Sequence, residues 1–135
     1  MGEYATSIDI DAPPEVVFEH LVTVEGMTAW IGQHAELDAT PGGVFTVDID
    51  GTPIRGEYLE VDPPHTVVVS WGVLGNELLP AGSSRVEFRL TPIAGGTRLD
   101  LTHSDLPLEE VDKHRQGWTH FLAVLAETAP QPSVP

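Results

Sequence analysis

Residues 108–128, LEEVDKHRQGWTHFLAVLAET, decide the fold. Val111, His114, Trp118, Leu122 and Leu125 recur at helical spacing, which predicts one long helix from Leu108 to Thr128 whose apolar stripe carries a histidine and a tryptophan. The chain before it reads mostly as strands. One long helix facing one large sheet can enclose a hollow, and a hollow is a place for a ligand.

Working back from the helix, Arg98 to His103 alternates, with Leu99, Leu101 and His103 in one phase. Gly95-Gly96 turns the chain out of Arg85 to Thr91, where Val86, Phe88 and Leu90 oppose Arg85, Glu87 and Arg89. Thr66 to Trp71 is apolar enough to be a central strand. Between these strands, Gly72 to Ser83 forms a loop whose Val73, Leu74, Leu78 and Leu79 need a surface to cover, so Val73 to Leu79 is expected to act as a lid on the hollow. Ile54 to Val61 changes phase, with Ile54 and Tyr58 on one face and Leu59 and Val61 on the other. A bulge near Gly56 would reconcile them.

Further back, Asp50-Gly51 is a strong hairpin signal after a strand that points Phe45, Val47 and Ile49 one way. Pro41-Gly42-Gly43 separates that strand from another over His34 to Ala39. Two short helices precede it, Val24 to Ile31 and a segment through Leu21 whose proline sits in the opening turn, where its missing N–H costs nothing. The first strand, Tyr4 to Asp11, sets Thr6, Ile8 and Ile10 on one face. Residues 129–135 are expected to be a disordered tail. The whole reads as one α+β domain over residues 1–128, a curved antiparallel sheet of about six to seven strands with two short helices and a long C-terminal helix closing over a cavity, the helix-grip arrangement.

Composition narrows the function classes. The 135 residues hold 21 acidic and 6 basic side chains, a formal net charge of -15 that repels phosphate backbones and anionic membrane surfaces, so neither nucleic acid nor a membrane is an expected partner. The absence of cysteine excludes disulfides and thiol catalysis. Met1-Gly2-Glu3-Tyr4 lacks the basic and apolar regions of a secretory signal, and a cytoplasmic protein, monomer or homodimer, is expected. Acidity of this degree also suits a bacterial proteome of high-GC or salt-adapted type.

The chemistry-bearing residues each have two readings. His103 on its strand and His114 on the helix stripe both point inward, where they either hold a polar ligand group or complete their hydrogen bonds within the core. Trp71, Phe88 and Trp118 are core rings or pocket walls, and Phe45 and Tyr58 share the inward face beside them. Arg55 and Glu57 lie on one face of the phase-changing strand. Turned inward they would form a buried pair with Arg55 free to bind a carboxylate, and turned outward a solvated pair. No catalytic group is assigned, because His103-Ser104-Asp105 places neighbouring side chains on opposite faces of a strand. No metal site or cofactor is expected: the six histidines form no His-Glu-x-x-His run, and His114 and His120 sit about 120° apart around a helix.

Glu57-Tyr58-Leu59-Glu60-Val61-Asp62-Pro63-Pro64, Val67-Val68-Val69-Ser70-Trp71, Gly96 through Ser104, and Gly117-Trp118 with Leu122 and Leu125 together resemble the family named after the activator of the heat-shock protein 90 ATPase. That family falls in the START-like, or SRPBCC, superfamily, which includes the birch-pollen allergen type. The resemblance spans about residues 4 to 127, and it implies the helix-grip fold and a place near the pocket mouth for Trp30. The superfamily holds lipid carriers, cyclases, cochaperone domains and resistance proteins, so fold alone does not choose among them. The expectation is non-catalytic binding of a small, mostly hydrophobic molecule (aromatic, lipid or polyketide-like), with Trp30, Phe45, Arg55, Tyr58, Trp71, Leu78, Phe88, His103, His114 and Trp118 around it. The alternatives are a chaperone-associated interaction domain, a polyketide cyclase-like enzyme, or a natural-product resistance protein.

Overall fold

Strong alternation builds seven strands, and a computed structural model describes residues 2–130. The order is β1 (Gly2–Ile10), α1 (Pro14–Val22), α2 (Val24–Thr28), β2 (His34–Leu37), β3 (Val44–Ile49), β4 (Thr52–Asp62), β5 (Thr66–Trp71), β6 (Ser84–Ile93), β7 (Gly96–Leu106) and α3 (Leu108–Thr128). They form one antiparallel sheet, ordered β1-β7-β6-β5-β4-β3-β2. Strands β2 to β7 follow one another as hairpin neighbours, and β1 is added beside β7. The apolar Thr66–Trp71 run occupies the middle of the sheet, which is why Val67, Val68 and Val69 are all buried.

The helix limits follow from local chemistry. Pro14 opens α1 and Thr23 separates α1 from α2, its hydroxyl accepting from the Gly26 N–H at 3.0 Å. Strand β3 ends in the turn Asp50-Gly51, where both residues take positive φ, 49° and 84°, as a two-residue hairpin turn requires. Inward residues from the strands, among them Phe45, Val69, Phe88 and Leu101, meet Trp118, Leu122 and Leu125 of α3 in one core. Ala129, expected in the tail, is buried against that core, and the tail from residue 131 onward lies outside the described residues.

The phase change in the fourth strand is real, but its position is not Gly56. The register against β5 shifts between Tyr58 and Glu60, so Leu59 is the extra residue and is exposed while Tyr58 is fully buried. Gly56 is needed for a different reason. A Cβ there would lie 1.9 Å from the Ser70 carbonyl oxygen, a backbone atom that cannot swing away. Gly56→Ala is therefore expected to destabilise the fold by about 2–3 kcal/mol, read as a lower urea midpoint at unchanged slope.

Candidate functional site

Between the helical stripe and the sheet lies a gap. His114, Gly117, Trp118 and Phe121 stand at i, i+3, i+4 and i+7 on α3, with Lys113 beside them, and they face Ile31, Ile49, Thr52, Ile54 and Trp71 across a cleft of about 150 Å³. The walls are mostly apolar and the cleft is partly open to solvent. The end of the β3–β4 hairpin supplies Ile49, Thr52 and Ile54, and the end of β5 supplies Trp71, so the turn at Asp50-Gly51 positions three of the five residues facing α3. Gly117 supplies the opening. An added Cβ there meets nothing within 4 Å, although glycine inside a helix is otherwise unfavourable by about 1 kcal/mol relative to alanine.

Behind Trp71 and Trp118 lies a directed hydrogen-bond chain. The Trp118 indole N–H, which can only donate, gives its proton to His103 Nδ1 at 3.0 Å, so the ring proton of His103 sits on Nε2. His103 Nε2 in turn donates to Ser84 Oγ at 2.8 Å, and Ser84 donates to the Trp71 carbonyl oxygen at 2.6 Å. Both ring nitrogens are thus used within the protein and His103 is fully buried. Burial, with a smaller contribution from His114, pushes the His103 pKa down to about 3. A proton on Nδ1 would also face another N–H. His103 is a neutral, buried strut behind the wall of the cleft, with both ring nitrogens hydrogen-bonded within the protein.

His114 is different. Its ring lies 4.9 Å from that of His103, and its Nδ1–H donates to the Glu110 carbonyl oxygen at 2.9 Å, with the Glu110 carboxylate at 3.6 Å. Nε2 has no hydrogen-bond partner among the described residues and carries the free lone pair. Burial lowers the His114 pKa against the raising influence of Glu110, and the Lys113 charge adds to the lowering. The cleft therefore presents a neutral imidazole. Trp71 is also unusual, because its Nε1 is the single buried side-chain nitrogen or oxygen without a hydrogen-bond partner among the described residues.

Of the ten residues expected around the ligand, the structure brings Trp71, His114 and Trp118 together on the cleft. Trp30, Phe45, Tyr58 and Phe88 are core residues. Trp30 donates to the His20 carbonyl oxygen at 2.8 Å and stacks edge-on against Phe88 with centroids 6.5 Å apart, while Phe45 packs on Tyr58 at 5.6 Å. The Tyr58 hydroxyl donates to the Leu21 carbonyl oxygen, and burial, with the nearby Asp38 charge, raises its pKa. Arg55 faces outward and binds Asp48 of β3 at 2.8 Å rather than Glu57, because 55 and 57 both belong to the face opposite buried Ile54 and Tyr58. Leu78 is exposed, and the expected lid is absent from the cleft lining. The loop is tied instead to the edge of β4 through Ile54 and Val73, and only its Leu79 is buried. Gly117, Phe121 and Lys113 were legible in principle, since they flank His114 and Trp118 on the same helical stripe. Ile49 and Ile54 stood in the apolar phases of their strands, whereas Ile31 and Thr52 had no local signal.

Residues 11–129 match the family described as Activator of Hsp90 ATPase homolog 1-like protein. The chain belongs to this family. Its members fall in the START/Bet v 1-like superfamily, and the helix-grip fold is shared with solved structures. An AHSA1-like protein from Rhizobium etli is 39% identical, with a TM-score of 0.75 over 95% of this chain and 81% of that one. A protein from Mesorhizobium loti superposes with a TM-score of 0.87 at 22% identity, covering 98% of this chain and 100% of that one. An Hsp90 activator from Plasmodium falciparum is 25% identical, with a TM-score of 0.80 over 96% and 97% of the two chains. No curated protein matches the chain. No helix of the AHSA1-like fold seen here is long and apolar enough to cross a membrane among the described residues, and none of their His, Asp and Glu side chains form a group of three or more able to hold a metal.

Proposed function

We propose that this AHSA1-like protein is a non-catalytic binding domain that holds a small, mostly apolar molecule between the sheet and α3. The cleft beside Gly117 carries this reading. Its volume of about 150 Å³ matches one aromatic ring, since an apolar cavity of about that size accepts benzene. Open space kept at a helix position where alanine would be more stable is a feature that binding, rather than folding, rewards.

Trp71 and Trp118 report occupancy directly. Titration with one-ring aromatic molecules is expected to change tryptophan fluorescence saturably, and Gly117→Leu is expected to weaken that binding at least about tenfold by filling the gap. The same variant keeps or raises thermal stability, because leucine is the better helix former by about 0.8 kcal/mol. A flat fluorescence response to every ring compound would end the reading. The second reading is an association with Hsp90, favoured by the family and by the Plasmodium falciparum relative. It requires a change in the ATPase rate of that chaperone when this protein is added.

A further inference from the structure

The one charged side chain lining the cleft is opposite in sign to the net charge of the chain. Lys113 is the only lysine in the sequence and it borders the cleft. Each of the five arginines is engaged by a carboxylate: Arg55 by Asp48, Arg85 and Arg89 by Glu87, Arg98 by Asp100, and Arg115 by Asp112. Lys113 alone has no ion pair among the described residues. Asp112, its neighbour on the helix, is already engaged by Arg115 and Gln116. An unpaired cation thus stands where a ligand would enter. Trp71 also lines the cleft, and its indole N–H is buried without an acceptor among the described residues. The lysine favours a guest with acceptor oxygens over a hydrocarbon or a cation.

Building on the binding reading above, we infer that the cleft selects a compact aromatic carboxylate, with its ring among Ile54, Trp71, Trp118 and Phe121 and its carboxylate beside Lys113. A chain of formal charge -15 attracts cations in general, so selection of an anion must come from the local lysine. At physiological ionic strength charges farther than about 8 Å are largely screened, which leaves the contact with Lys113 in control.

Benzoate, benzyl alcohol and benzylamine share one ring and carry a one-carbon substituent that is anionic, neutral and cationic in turn. By tryptophan fluorescence in 0.15 M salt, benzoate is expected to bind at least about threefold more tightly than benzyl alcohol, and benzylamine most weakly. Lys113→Gln is expected to abolish the preference, so that benzoate and the alcohol bind that variant with equal affinity. Binding of the alcohol without any preference for benzoate, or a preference that survives in Lys113→Gln, would overturn this inference and leave the cavity reading standing. Failure of all three probes would overturn both.

Discussion

Trp118→Ala is expected to cost about 3–5 kcal/mol, the largest loss from any single truncation of the pocket wall. Trp118 is buried and sits against the rings of Trp71 at 5.2 Å, Phe88 at 5.9 Å, His103 at 6.1 Å and Trp30 at 6.5 Å, so its removal opens a void that four rigid neighbours cannot close. It also strips His103 Nδ1 of its donor. Trp118→Phe separates the two effects. The phenyl ring retains most of the packing, whereas the missing N–H leaves a buried acceptor alone at a cost of about 1–3 kcal/mol. In that variant Nδ1 becomes free to take a proton, and NMR titration is expected to find the His103 pKa moved upward from about 3. Urea unfolding of both variants gives the stability comparison. Equal losses in the two would show that packing contributes nothing beyond the hydrogen bond.

Mild acid is expected to weaken the fold through His103, well before most carboxylates protonate. In the folded protein its pKa is about 3, against the ordinary value of 6.5 for an exposed ring, so between these values the unfolded chain binds more protons than the folded one. Stability is therefore fully present above about pH 6.5 and falls as the pH drops toward 3. The expected loss from this group is about 2 kcal/mol between pH 7.5 and pH 5, approaching 1.4 kcal/mol per pH unit once the unfolded ring is protonated. His114, whose pKa is also lowered chiefly by burial, acts in the same direction. Urea midpoints measured across this range check the slope. His103→Gln should flatten it, because the amide keeps a donor and an acceptor but does not titrate. A slope unchanged in that variant would place the acid sensitivity elsewhere.

The long helix, the succession of strands along the chain and the hairpin at Asp50-Gly51 were legible in the sequence because they rest on short-range rules. Periodicity chooses helix or strand, and backbone sterics choose the turn residues. The inward phase of His103 was legible for the same reason, yet its role was not. Its partners Ser84 and Trp118 are 19 and 15 residues away, and only strand pairing and helix docking bring them to 2.8 and 3.0 Å. Arg55 failed to face inward because the bulge fell at Leu59, a choice made by the register with β5 rather than by the glycine nearby.

The sequence by itself determined a helix-grip domain of this family with a histidine and a tryptophan on the inner stripe of its last helix. Tertiary structure decided which inward side chains are core and which are wall. Alternation tells which face of an element is inside, but the space left between two inside faces depends on how far apart packing holds them. In this chain the gap falls beside Gly117, one turn from His114, with the only lysine at its edge.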